Sequence, residues 1–120
     1  MGDTAAGSGA IERDPADIAA MLGAGEGELQ LIDVREPYER DAGHIDGSLH
    51  IQLAELSARA GELDASRPVV FYCRVGARSL MAAQAFAASG YEAYSMAGGL
   101  QRWAQEGRQL APQGGYVAEH

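Results

Sequence analysis

Hydrophobic and polar positions alternate along the chain in a way that predicts short buried strands separated by helices. Two runs, at 29–34 and 69–72, are mostly or wholly apolar, which is typical of parallel strands covered on both faces. The second run is β-branched and aromatic throughout and is the most strand-like segment of the chain. Shorter strands are expected at 11–12, 48–51 and 91–96.

Helical patterns lie between these strands. Asp14 and Pro15 suit the N-cap and first position of a helix that ends at Gly23. Three further helices are expected at 37–42, at 53–63 over about three turns, and at 79–89, where the chain is apolar nearly all round and should be well buried. A last helix follows the Gly98-Gly99 turn, which we interpret as close-packed. The alternation predicts an α/β domain with a mostly parallel sheet and helices on both faces.

Length and composition predict a single domain. A chain of 120 residues supports one hydrophobic core and no second one. Residues 1–10 are small and polar and are predicted to be a disordered tail. The domain is expected to span residues 11–110, and Pro112, Gly114 and Gly115 predict a loose C-terminal tail at 111–120.

The net charge of −8 argues against nucleic acid or an anionic membrane as a partner. No apolar run reaches the length of a membrane span, and no signal peptide is recognised. A cytoplasmic location is therefore expected. All nine basic residues are arginines, and two of them follow the only cysteine, which makes a local positive region that suits a small anionic substrate.

That cysteine is the strongest candidate for chemistry. Cys73 ends the 69–72 strand, and a loop with Arg74, Gly76 and Arg78 leads into the next helix. Backbone N–H groups and the positive end of a helix dipole converge at such a turn. These surroundings favour the thiolate, which is the nucleophilic form. The loop residues Arg74, Val75, Gly76, Ala77 and Arg78 are candidates for holding an anionic group.

Alternative interpretations of the polar residues stay open. Cys73 as a simple core residue is disfavoured by the two arginines beside it, and a redox sensor lacks a second cysteine. His44 and His50 give no reason to name either as a catalytic base, and no metal-ligand spacing or cofactor is indicated. Asp33 and Arg35 end the neighbouring strand, where they either pair with each other or support the Cys73 loop.

Four motifs in register resemble the single-domain rhodanese family of sulfurtransferases, over about residues 11–110. The motifs are Leu31-Ile32-Asp33-Val34-Arg35-Glu36-Pro37-Tyr38-Glu39, Gly43-His44-Ile45-Asp46-Gly47-Ser48, Cys73-Arg74-Val75-Gly76-Ala77-Arg78-Ser79, and Gly90-Tyr91 through Gly98-Gly99-Leu100 with Trp103. The resemblance implies a three-layer fold around a five-stranded, mostly parallel sheet. It also implies that Cys73 takes a sulfane sulfur as a persulfide, with the amides of 74–78 around the added sulfur.

The same resemblance leaves partners and rival functions to be decided. It implies a small anionic donor such as thiosulfate or a persulfide, and cyanide, a thiol or a sulfur-carrier protein as acceptor. The rivals are a non-catalytic rhodanese-like binding module and a cysteine phosphatase or arsenate reductase. Cysteine phosphatases and arsenate reductases have a Cys-X5-Arg loop, whereas four residues separate Cys73 from Arg78 here. We expect the shorter loop to reject phosphate.

Overall fold

A computed structural model of the chain describes residues 11–24 and 29–120, so the predicted tail at 1–10 lies outside the described residues. The strands are β1 (Glu12–Arg13), β2 (Gln30–Asp33), β3 (Leu49–His50), β4 (Val69–Tyr72) and β5 (Ala93–Met96). The helices are α1 (Pro15–Ala24), α2 (Pro37–Ala42), α3 (Leu56–Arg59), α4 (Ala77–Ala88) and α5 (Gly99–Gln105).

The five strands form one parallel sheet in the order β1-β5-β4-β2-β3. This confirms the predicted α/β architecture. The most apolar strand, β4, lies at the centre, and the two-residue strands β1 and β3 form the edges. Because all strands run the same way, the segments that follow β2, β4 and β5 meet at one edge of the sheet, where parallel sheets bind their ligands.

Side chains of β4 alternate between two cores on opposite faces of the sheet. Phe71 and Cys73 belong to the core covered by α4 and the 53–63 segment, while Val70 and Tyr72 belong to the core covered by α1 and α5. Every residue of β4 is fully buried. The cysteine side chain is therefore directed to the α4 face at the carboxyl end of the central strand.

Two helix predictions need correction. The 53–63 segment is not one helix, because α3 is flanked by 3-10 turns at Leu53–Glu55 and Ala60–Glu62. Gly61 weakens helix propensity there, and the Leu53 N–H donates to the Val34 carbonyl, which holds the start of the segment against the sheet. Helix α4 is buried on one face only, since Met81 is 62% exposed. Its alanines favour the helix without demanding burial.

The chain after Leu110 is attached to the domain. Ala111 forms an antiparallel bridge with His44, and the Tyr116 N–H donates to the Ala42 carbonyl over 2.9 Å. Val117 packs against the α1 and α5 core. The expectation of a loose segment at 111–120 is corrected by these contacts, because the backbone of the segment pairs with the end of α2 and the residues after it.

Candidate active site

Two backbone N–H groups point at the sulfur of Cys73. The Gly76 N–H lies 3.1 Å from Sγ and the Ser79 N–H lies 3.4 Å from it. Cys73 itself is 1% exposed, so the sulfur lies at the base of the loop. Helix α4 begins at Ala77, so Ser79 belongs to its first turn and the sulfur meets the positive end of the helix dipole.

The loop wraps the sulfur because Gly76 adopts a left-handed conformation. Its φ is 114°, which side chains with a Cβ rarely allow. Val75 and Ala77, on either side of it, are exposed. The Arg74 side chain is half-buried, and its Nε has no hydrogen-bond partner among the described residues.

Arg78 forms a paired contact with Glu39, a residue that sequence analysis did not assign to the site. Nη1 and Nη2 of Arg78 lie 2.9 Å from the two carboxylate oxygens of Glu39. Glu39 is fully buried, and its Oε1 also accepts the Glu36 N–H. The capping-box spacing of Glu36 and Glu39 at the start of α2 was the one available signal for this carboxylate.

The charges of this pair stabilise each other. Burial alone would raise the pKa of the Glu39 carboxyl, but hydrogen bonds and charge from Arg78 outweigh it and hold the pKa below its usual range. The hydrogen bond to Glu39 correspondingly raises the pKa of Arg78. Glu39 therefore offsets much of the positive charge that the sequence places beside Cys73.

The predicted supporting residues Asp33 and Arg35 pair with each other. Both are fully buried, with Nε and Nη2 of Arg35 lying 2.9 and 2.8 Å from the Asp33 oxygens. Arg35 Nη2 also donates to the Gly43 carbonyl. Burial raises the pKa of Asp33, but the hydrogen bonds and charge of Arg35 reverse the effect and bring the pKa below its ordinary value. The pair joins β2 to the end of α2.

The Tyr72 hydroxyl extends this network. It donates to Asp33 over 3.2 Å, accepts the Ile45 N–H over 3.0 Å and lies 2.9 Å from Ser48 Oγ. Burial, together with the negative charge of Asp33, raises the pKa of Tyr72 to about 12. The residue immediately before the cysteine is thus held by several polar contacts, which restrains the start of the loop.

The Gly98-Gly99 turn holds the other side of the loop. The Leu100 N–H donates to the Cys73 carbonyl over 2.8 Å, and the Gln101 N–H donates to the Arg74 carbonyl over 3.0 Å. Gly99 has a φ of 61°, and a Cβ at this position would lie 2.7 Å from the Cys73 carbonyl oxygen. The first turn of α5 is therefore bound to the protein's own backbone, in agreement with a close-packed turn.

The histidines contact other groups. His44 Nδ1 lies 3.1 Å from the Arg40 carbonyl, and His50 Nε2 lies 2.7 Å from the Arg35 carbonyl. His120 Nδ1 lies 3.5 Å from Glu39 Oε1, so the end of the sequence reaches the Glu39–Arg78 pair. Among residues 11–24 and 29–120 no group of three or more metal-ligating side chains is found, and no helix is long and apolar enough to cross a membrane.

A family comparison decides the classification of this site and fold. The profile of the Rhodanese-like domain family matches residues 14–106. The chain belongs to the rhodanese-like domain family. The match covers every strand of the sheet except β1, together with the Cys73 loop and α5, so it confirms the predicted resemblance.

Relatives of this rhodanese-like domain include proteins of different lengths. An uncharacterised protein, YqhL of Bacillus subtilis, is 43% identical over 81 residues, which is 67% of this chain and 64% of the relative. An HTH-type transcriptional regulator of Mycobacterium tuberculosis is 49% identical over 59 residues, which is 49% of this chain and 26% of the regulator. The chain thus spans less than two thirds of both curated relatives.

Solved structures show the same rhodanese-like fold. A rhodanese-related protein from Thermoplasma volcanium superposes with a TM-score of 0.76 at 27% identity, covering 83% of this chain and 96% of that one. The reduced CoADR-RHD protein of Bacillus anthracis gives 0.74 at 30% identity, covering 82% of this chain and 17% of that one. In the second case the rhodanese-like fold is one part of a longer chain.

Proposed function

We propose that this rhodanese-like protein is a sulfurtransferase in which Cys73 carries a sulfane sulfur as a persulfide. The observation that supports this most is the pair of N–H groups, from Gly76 and Ser79, aimed at the buried Sγ over 3.1 and 3.4 Å. Amide donors and a helix N-terminus favour a sulfur anion. A cradle made of backbone suits one added sulfur atom, which needs little space.

The reaction has two balanced half-steps. The Cys73 thiolate attacks the outer sulfur of thiosulfate, an S–S bond to Cys73 forms, and sulfite leaves with the electron pair of the broken S–S bond. Cyanide or a thiolate then attacks the outer persulfide sulfur, and the electron pair of that S–S bond returns to Cys73. Atoms and electron pairs balance in each half-step, so the transfer needs no external oxidant or reductant.

The backbone amides of the loop and its arginine side chains have different roles in this proposal. The amides of 74–78 hold the outer sulfur, while the half-buried Arg74 guanidinium attracts the anionic end of a donor. Both terminal nitrogens of Arg78 are bound to Glu39, so Arg78 contributes to the shape of the loop more than to donor binding. The same proposal includes a small anionic donor, a thiol or cyanide as acceptor, a sulfur-carrier protein as partner, and a cytoplasmic location.

The paired state of Arg78 also argues against phosphate chemistry. A cysteine phosphatase needs its loop arginine to bind a tetrahedral oxyanion, and here that guanidinium is occupied by a buried carboxylate. We therefore expect no useful hydrolysis of an aryl phosphate. Measurable phosphatase activity that Cys73→Ser removes would favour the phosphatase over the sulfurtransferase.

Mass measurement before and after sulfur loading tests the proposal. The reduced protein and its Cys73→Ser variant are incubated with thiosulfate or with a low-molecular-weight persulfide, and intact masses are recorded. We expect the wild type alone to gain about 32 Da, one sulfur atom, and to release it to cyanide as thiocyanate. A folded wild type that gains no mass from either donor would refute the sulfurtransferase and leave a binding module.

A further inference from the structure

A chain of two buried hydroxyls leads away from the reactive sulfur. Ser79 Oγ lies 3.5 Å from Cys73 Sγ and 2.7 Å from Ser95 Oγ. Ser79 and Ser95 are both fully buried. Ser95 lies on β5, behind the loop, and the described residues offer its hydroxyl one partner, Ser79. The hydroxyls therefore form a connected line from the sulfur into the sheet.

The number of available hydrogens fixes the direction of each hydrogen bond along this line of hydroxyls. Ser79 has one hydroxyl hydrogen and three neighbours: Cys73 Sγ, Ser95 Oγ and the Gly76 carbonyl at 3.2 Å. When Cys73 is a thiol, its S–H donates to Ser79 and Ser79 donates to the Gly76 carbonyl. In that arrangement Ser95 has to be the donor in the 2.7 Å contact, because the Ser79 hydrogen is already used.

The same residues also stabilise a sulfur anion once the Ser79 hydroxyl has rotated. A thiolate has no hydrogen to donate, so the Ser79 hydroxyl turns from the Gly76 carbonyl to Sγ. The Gly76 carbonyl keeps a partner, because it also accepts the Leu80 N–H over 3.0 Å. Ser95 still donates to Ser79 Oγ, and this donation polarises the Ser79 O–H and makes it a better donor to the anion.

We propose that Ser95 is a positioning residue that acts through Ser79 to stabilise negative charge on Cys73 Sγ. For the transfer step this inference rests on the proposed function. When the acceptor attacks the outer persulfide sulfur, the S–S bond breaks and its electron pair moves to Cys73 Sγ. The Ser79 hydroxyl then turns from the Gly76 carbonyl to that sulfur while Ser95 holds the Ser79 oxygen. Persulfide formation reverses the rotation.

Alkylation of Cys73 tests the inference without any sulfur transfer. Iodoacetamide reactivity is measured against pH for the wild type, Ser95→Ala, Ser95→Thr and Ala93→Gly. Thr keeps the hydroxyl, while Ala93→Gly removes a buried methyl from the same face of β5 and controls for loss of packing. The charged and titratable groups near the loop, which include Arg74, the Arg78–Glu39 pair and His120, are unchanged in all four proteins.

We expect Ser95→Ala to move the alkylation profile to higher pH and to slow discharge of the persulfide to cyanide roughly three- to tenfold. Ser95→Thr should restore both, and Ala93→Gly should change neither. A profile for Ser95→Ala that coincides with Ala93→Gly would overturn the proposal. If no persulfide forms at all, the sulfurtransferase is refuted, whereas the alkylation profile still decides the role of Ser95.

A double-mutant cycle on a Ser79→Ala background tests whether Ser95 acts through Ser79. If Ser95 acts only through Ser79, adding Ser95→Ala to Ser79→Ala should leave the alkylation profile of the single variant unchanged. A further displacement in the double variant would show that Ser95 acts by another route and would overturn the proposed line of hydroxyls. Urea unfolding of each protein identifies any variant that fails to fold. If Ser95→Ala fails to fold, Ser95→Thr must show the wild-type alkylation profile, and a displaced profile would overturn the proposal.

Discussion

Arg78, in the first turn of α4 directly after the cysteine loop, binds the buried carboxylate of Glu39 through two parallel hydrogen bonds of 2.9 Å. This contact joins the start of α4 to α2, two elements that are far apart in the chain. It also offsets a positive charge near the sulfur with a negative one. In the proposed function the loop therefore presents its backbone amides and Arg74 to a sulfur donor, while Arg78 maintains the structure.

Loss of the Arg78 side chain should destabilise the fold. In Arg78→Ala the buried Glu39 carboxylate loses the guanidinium that compensates its charge, so we expect the free energy of unfolding to fall by about 3–5 kcal/mol. Arg59 is the control, since it also binds a carboxylate through two nitrogens, Nε and Nη2, but pairs with Glu62 at the surface. Arg59→Ala should cost much less, because solvent screens an exposed ion pair. Equal losses in urea unfolding would contradict the importance of burial.

Acid should weaken the fold through Asp33 and Glu39. Their pKa values are lower in the folded protein than in the unfolded chain, so the unfolded state takes up protons first as pH falls. The resulting stabilisation is complete above the ordinary carboxyl pKa values of about 4 and is lost as pH falls through the lower folded values.

The measurement for this prediction is the free energy of unfolding in urea at a series of pH values from about 7 to about 3. We expect it to decline most steeply below about pH 4. Glu39→Gln should lower the value at neutral pH and flatten the decline, because one of the two titrating groups is gone. Asp17→Asn, at an exposed position on α1, should keep the wild-type slope. An unchanged slope in Glu39→Gln would refute the assignment.

The Tyr72 hydroxyl should contribute to stability out of proportion to its size. Tyr72→Phe leaves the buried Ile45 N–H without its acceptor and removes a donor from Asp33, so we expect a loss of about 1–3 kcal/mol. Tyr94→Phe removes a hydroxyl that binds the exposed Glu92 and should cost less than about 0.5 kcal/mol. Ultraviolet titration should also lose one phenol ionising near pH 12 in Tyr72→Phe.

Gly99 should tolerate no side chain, because of both its conformation and its neighbours. In Gly99→Ala the new Cβ would clash with the Arg74 carbonyl group, in addition to the strain of a positive φ. Gly107 has a φ of 89° with open space around it, so Gly107→Ala measures the strain alone. We expect a larger loss of stability for Gly99→Ala, together with slower sulfur loading. Similar losses for both would show that the contact with the loop is unimportant.

The order of the apolar runs along the chain predicted the fold, because each run has to be buried and its pattern indicates a strand or a helix. Val69 to Tyr72 are apolar on consecutive residues, which requires burial on both faces of a strand, and a helix pattern follows. The cysteine loop was predictable for the same reason, since Cys73, Gly76 and the start of α4 are neighbours in sequence. The local order of residues was enough to place the sulfur beside backbone amides.

The contacts of charged and hydroxyl groups were decided only by the tertiary structure. Sequence placed Arg78 beside Cys73 as a free positive charge, but it could not show that Glu39, from another motif, would occupy both nitrogens. Ser95 likewise meets Ser79 only because β5 pairs with β4 in the sheet. Hydrophobic burial follows local periodicity, whereas a hydrogen bond or ion pair depends on which distant segments the fold brings within about 3 Å.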